Sequence, residues 1–155
     1  MAPVSIRRPD PLHLGEEADA AMAVQRAALR ATLPGLREPH TAAEDAAWIR
    51  GIFAQRSVWL AVDDGRVVGI ASHDGEWVGQ LYIAPGYTGK GIGKRLLDKV
   101  QAESMNGVLR LWTFQRNKGA RRFYERNGFV AVELTDGSGN EEGEPDVRYE
   151  RSLRR

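Results

Sequence analysis

Ala84-Pro85-Gly86-Tyr87-Thr88-Gly89-Lys90-Gly91-Ile92-Gly93-Lys94 carries glycines at 86, 89, 91 and 93, directly ahead of a periodic run with Ile92, Leu96, Leu97 and Val100. The β-rich residues before it read as a strand and the periodic run after it as a helix, so one turns directly into the other. Glycines leave the backbone uncovered, and a row of N–H groups is exposed at the positive end of the helix. That arrangement holds phosphate or diphosphate, and it predicts a phosphorylated cofactor. Two familiar phosphate loops do not fit. A P-loop begun at Gly86 requires Lys and Ser or Thr where Ile92 and Gly93 stand, and a dinucleotide fingerprint begun at Gly91 requires glycine where Leu96 stands. Because glycines also serve a plain tight bend, the rest of the chain has to carry the assignment.

Upstream, residues 58–62, 66–72 and 77–83 read as three successive antiparallel strands, the first two joined by Asp63-Asp64-Gly65, a strong hairpin signal. Before them the sequence predicts a strand at 4–8, closed by Pro9 and Pro11, and a helix over 15–32 with Ala21, Val24, Ala28 and Leu29 at helical spacing. A second helix runs to about Gln55, with Thr41 as N-cap, Glu44 three residues on, and Ala47, Trp48, Ile52 and Phe53 as its apolar stripe. The connection 33–41 is rich in breakers. Downstream follow a helix over about 91–105, a strand at 108–114, a helix at 117–127 ended by Gly128 and a strand at 129–134. Residues 135–146, rich in glycine and acidic side chains, read as an exposed loop before a last strand at 147–153.

With 155 residues, 42% of them hydrophobic, and no internal repeat or linker, residues 1–155 form a single domain. A net charge of +1 gives no footprint for nucleic acid or an anionic membrane surface. No cysteine is present, which excludes disulfides, thiolate nucleophiles and cysteine metal sites. His13, His40 and His73 are too scattered for metal ligands. No stretch approaches the roughly 20 apolar residues of a membrane span, and residues 1–30 lack a signal-peptide core. The expectation is a soluble, cytoplasmic protein without nucleic-acid or membrane partners.

The segment Asn117-Lys118-Gly119-Ala120-Arg121-Arg122-Phe123-Tyr124-Glu125-Arg126-Asn127-Gly128-Phe129 supplies a second motif. Together with the glycine turn it resembles the GNAT superfamily of acyl-CoA-dependent N-acetyltransferases, over essentially the whole chain. The family's N-x-x-A-x-x-F-Y-E-x-x-G-F pattern is matched at Asn117, Ala120, Phe123, Tyr124, Glu125, Gly128 and Phe129. Its diphosphate turn, Q/R-x-x-G-x-G/A, is matched except at its opening position, where Thr88 stands.

The resemblance implies an α+β fold: a mixed, mostly antiparallel sheet of six or seven strands, helices on both faces, and a V-shaped split between the fourth strand (77–83) and the fifth (108–114). It implies acetyl-CoA as cofactor and an acetyl transfer to a primary amine on a small molecule or a protein; with no cysteine to carry an acyl intermediate, the amine attacks directly. The amides of Thr88, Gly89, Lys90, Gly91, Ile92 and Gly93, with Lys94 following, would wrap the diphosphate. Backbone groups of Leu81, Tyr82 and Ile83 would bond the cofactor arm and polarise the thioester carbonyl. Asn117 serves as helix N-cap, contacts the arm, or does both. Family-level analogy adds a homodimer through the C-terminal strands.

Tyr124 is the expected general acid for the leaving thiolate, since a phenol of pKa about 10 suits a thiol of about 8.5. Adjacent helical residues point about 100° apart, so Phe123 and Tyr124 are not expected to share one core stripe. The amine's proton is expected to go to Glu76, to His73 or into a water chain, with no one of the three singled out by the sequence. Arg116, Lys118, Arg121, Arg122 and Arg126 read as a solvated helix face or as an anchor for phosphate or RNA. Trp48, Trp59, Trp77 and Trp112 read as core or sheet-face residues, Trp77 being the best placed to line the acceptor site. Two rival functions are an idle acyl-CoA sensor and an enzyme that modifies RNA or protein tails.

Overall fold

A computed structural model describes residues 3–153. In chain order the elements are β1 (Ser5–Arg7), α1 (Leu14–Thr32), α2 (Ala42–Gln55), β2 (Ser57–Asp63), β3 (Arg66–His73), β4 (Val78–Ile83), α3 (Ile92–Ala102), β5 (Val108–Phe114), α4 (Lys118–Arg126), β6 (Val130–Leu134) and β7 (Asp146–Ser152). Local chemistry sets the boundaries. Thr41 closes a full capping box with Glu44 at the start of α2. Asp64 and Gly65, at φ 50° and 77°, make the tight turn of the β2–β3 hairpin.

The strands form two hydrogen-bonded sheets rather than one continuous ladder. The first has the order β1-β2-β3-β4 and the second β5-β7-β6, all pairings antiparallel. A single parallel bridge, Trp77 with Arg110, joins them, and among the described residues no ladder links β4 to β5 beyond it. That edge of β4 thus has N–H and C=O groups outside any strand ladder among the described residues.

Alternation along β2 and β3 buries both faces of the first sheet. Val58, Leu60, Val62 and Ile70 meet Ala18, Ala21 and Met22 of α1 and Ile49 of α2. Ala61, Val68 and Ala71 meet Ile92, Leu96, Leu97 and Val100 of α3. Tyr124, Phe129, Val147 and Tyr149 continue this second core toward the other sheet. No helix among the described residues is long and apolar enough to cross a membrane.

Away from the core, Glu103, the C-cap of α3, gathers Arg8 just past β1 together with β2 and β3. It accepts from Ser57 Oγ at 2.8 Å, Trp59 Nε1 at 2.8 Å and His73 Nε2 at 2.9 Å, and pairs with Arg8. His73 Nδ1 accepts from Gly75 N at 3.0 Å, which puts the ring proton on Nε2.

Candidate active site

The turn between β4 and α3 is anchored at its base. Ala84 N donates to Val68 O at 2.8 Å, Tyr87 N to Ala84 O at 3.0 Å, and the Tyr87 hydroxyl to Asp63 at 2.6 Å. Gly86, Gly89 and Gly91 then take φ of 91°, 74° and 81°, a region closed to most side chains. Gly91 is the N-cap of α3 and places no side chain over the helix end. The first chain of helical bonding begins at Arg95 N, which donates to Gly91 O at 3.2 Å; the amides of Ile92, Gly93 and Lys94 come before it, at the positive end of the dipole.

These amides open onto a cavity of about 1300 Å³. One wall is β4, with Val78, Gly79, Leu81, Tyr82 and Ile83; the facing wall is β5, with Leu111, Trp112, Thr113 and Phe114. Asn117, Phe123, Tyr124 and Arg126 line it from the α4 segment. Of the residues expected to hold a cofactor, Leu81, Tyr82, Ile83, Thr88, Gly89, Gly91, Ile92, Gly93, Lys94, Asn117 and Tyr124 all lie in this lining. Lys90 does not; its ammonium sits 5.5 Å from the Tyr87 ring. Asn117 caps α4, accepting from Ala120 N at 3.2 Å, and lines the cavity as well.

The four tyrosines divide into two pairs. Tyr87 donates to Asp63 at 2.6 Å, and Tyr149 donates to Glu125 at 2.5 Å and accepts from Arg121 at 3.0 Å. Tyr82 and Tyr124 line the cavity, and neither hydroxyl has a hydrogen-bond partner among the described residues. Burial pushes the Tyr82 phenol up to about 12, with the charge of Glu142 adding to it. Burial, and after it Tyr82, raises Tyr124 further still. Burial moves the Tyr124 phenol above the ordinary value used for its match with a thiol, so its hydroxyl stays protonated well into the alkaline range.

Tyr124 is held by rings on three sides, with centroids of Phe123, Phe129 and Tyr149 at 5.4, 5.5 and 6.1 Å. Phe123 and Tyr124 thus serve the same core after all: Tyr124 is buried in it, and Phe123 packs against it and against Gly93 of α3.

Neither proposed base lies in the cavity lining. Glu76 pairs with Arg110 at 2.8 Å and accepts from Asn106 at 3.1 Å. His73 is buried under Glu103. Trp77 pairs through its backbone with Arg110 and lines neither of the two cavities, whereas Trp112 lines the first cavity and Trp48 a second one. Of the basic residues, Arg126 lines the cavity, Arg121 is tied to Tyr149, and Arg116 pairs with Glu144 at 3.0 Å.

The second cavity, of about 810 Å³, lies between α1, the 33–41 connection and the end of β5, and shares Leu29, Gly79, Tyr82, Phe114 and Glu142 with the first. The 135–146 segment reaches both. It is more ordered than its composition predicts: Asn140 Nδ2 donates to Glu144 O at 2.8 Å, its Oδ1 accepts from Glu144 N at 3.2 Å, and Gln115 Nε2 donates to Thr135 O at 2.8 Å. Gly137 is buried against the Glu144 backbone.

Comparison with known proteins matches residues 54–131 to a family model described as an acetyltransferase (GNAT) domain. An uncharacterized N-acetyltransferase of Mycobacterium tuberculosis is 39% identical over 84 residues, covering 48% of this chain and 53% of that protein. The peptidyl-lysine N-acetyltransferase YiaC of Escherichia coli is 33% identical over 76 residues, covering 48% and 51%. The chain therefore spans about half the length of the curated relatives it matches. In fold it is similar to yncA of Salmonella typhimurium, solved with its cofactor acetyl-CoA, with a TM-score of 0.74, 20% identity, and coverage of 99% and 96%.

Proposed function

Because the chain belongs to the GNAT acetyltransferase family, we propose that it transfers an acetyl group from acetyl-CoA to a primary amine by direct attack. The observation that carries this reading is the uncapped, glycine-lined start of α3 opening onto a cavity that runs between β4 and β5. The fit is chemical as well as spatial. The amides at Gly89 to Lys94 suit a diphosphate, Lys94 and Arg126 bring positive charge to the same lining, and the open edge of β4 at Leu81 to Ile83 offers backbone groups to an amide-bearing arm.

When bound, acetyl-CoA would supply an acetyl group activated as a thioester; the nitrogen–carbon bond would form as the carbon–sulfur bond breaks, with the amine's proton passing to water. A backbone N–H of β4 directed at the carbonyl oxygen stabilises charge that develops there, a contribution of about 3–4 kcal/mol in comparable sites. Tyr124, protonated and without a hydrogen-bond partner among the described residues, would donate its hydrogen bond to the leaving sulfur and then its proton. A thiol buried beside it would be raised in the same direction as the phenol. The second cavity receives the acceptor. Glu76, held by Arg110, is assigned no proton transfer here.

Calorimetric titration with CoA and acetyl-CoA, followed by thiol release against a panel of amines, tests the reading. Saturable binding and amine-dependent thiol release are expected. Absence of binding by either nucleotide overturns it, and binding without release by any amine identifies an acyl-CoA sensor instead.

A further inference from the structure

The charged side chains around the second cavity are almost all paired. Arg26 meets Asp45 at 3.2 Å, Arg30 meets Glu38 at 2.7 Å, and His40 meets both Glu44, at 3.9 Å, and Glu141. Two charged groups of this lining have no ion pair among the described residues: Arg37, at the exposed rim, and Glu142. Their positions differ. Glu142 belongs to the linings of both cavities, beside Tyr82 and Phe114, where a group held by it is within reach of each.

A second, separate observation concerns Gln25 on α1. It lines the same cavity, and its Oε1 is buried without a hydrogen-bond partner. A buried carbonyl oxygen left unpaired costs on the order of 1–3 kcal/mol. That oxygen is itself buried, so it is not offered to the cavity, and the group that the cavity presents is the Glu142 carboxylate without a cation. What completes it is a positively charged group with several N–H bonds; an ammonium ion has three and accepts none.

Building on the acyl-transfer reading above, we propose that Glu142 binds the acceptor amine as its ammonium ion at the junction of the two cavities, the ammonium giving its proton to water before the free amine attacks. The acceptor is then an amine that is charged in solution: an alkylamine, a polyamine, or a lysine side chain. Glu142 acts in binding and selection. Its removal raises KM while kcat changes little, and an amine that is uncharged at neutral pH gains nothing from it.

The test is steady-state thiol release at saturating acetyl-CoA, comparing the unaltered protein with Glu142→Gln. The probes are 1,4-diaminobutane, an N-terminally capped lysine peptide, and aniline as the uncharged amine, used as acceptor or as competing ligand. KM for the two charged probes should rise about tenfold or more, the usual effect of losing a hydrogen bond to a charged group. The constants for aniline and the calorimetric affinity for CoA should stay within about twofold. Unchanged KM for the charged probes overturns the inference, as does an equal loss on aniline. A protein that binds CoA yet acetylates neither charged probe overturns it too. Failure to bind CoA sinks the acyl-transfer reading itself, and so the two are told apart.

Discussion

The ring of Phe123 lies 3.3 Å from the point a β-carbon would occupy at Gly93. The first turn of α3 and the aromatic face of α4 are therefore in direct contact, and the absent side chain at Gly93 lets the two motifs of the sequence form one wall. Gly93→Ala sets two effects against each other. Alanine favours the helix by about 1 kcal/mol, while the new methyl pushes on a ring that can yield into the cavity. Thermal unfolding should change by the equivalent of about 1 kcal/mol or less, and CoA affinity should fall about tenfold, since the displaced ring occupies cofactor space. The double variant Gly93→Ala with Phe123→Leu should recover part of that affinity in calorimetry.

Tyr124→Phe removes a hydroxyl that has no hydrogen-bond partner among the described residues, so stability is expected to hold. Turnover should drop about 100-fold, the range of a lost general acid, while CoA affinity stays within about twofold. Burial raises this phenol, so its ionisation should not appear in the pH–rate profile below about pH 10. An alkaline fall near neutrality that vanishes in Tyr124→Phe would contradict this.

Glu103 ties stability to pH. Burial alone would raise its carboxyl, but hydrogen bonds from His73, Trp59, Ser57 and Arg8 outweigh that and hold it at about 2 rather than the usual 4.5. A carboxylate depressed by folding stabilises the protein above its unfolded pKa, and the benefit is lost as pH falls from about 4.5 toward 2. Glu103→Gln should cost about 1–2 kcal/mol at pH 7, a figure kept low because the side chain is 30% exposed. Denaturant melts should show the difference from the unaltered protein shrinking below pH 4.5.

Gly137 has φ 86°, and a β-carbon there would sit 2.5 Å from the Glu144 carbonyl carbon. Gly137→Ala cannot be absorbed by a side-chain shift, because the obstacle is backbone. The 135–146 segment must rearrange and carry Glu142 with it. Amine KM should rise as in Glu142→Gln, while CoA affinity, set mainly by the α3 turn, should change less than twofold.

Much of this molecule is legible locally. The Asp63-Asp64-Gly65 hairpin, the Thr41–Glu44 capping box, the glycine-lined start of α3 and the Asn117 cap each follow from a few neighbouring residues, because turn and cap energies are settled within one turn of chain. Most expected cofactor residues line one cavity for the same reason: they flank that turn or belong to the segment that packs on it. Glu76, His73 and Trp77 show the limit. Each lies near β4 in sequence, yet Arg110, Glu103 and the bridge between the sheets take them up, and none of these partners is a sequence neighbour.

By itself the sequence determined the order of elements, the diphosphate-type turn and the family, since periodicity, glycine placement and a spaced motif are properties of short segments. Tertiary structure alone decided that β7 lies between β5 and β6, that three rings enclose Tyr124 and raise its pKa, and that a loop of glycines and acids folds back to set Glu142 between two cavities. Those outcomes depend on desolvation and on which distant side chains meet. Both arise only when the segments are packed together.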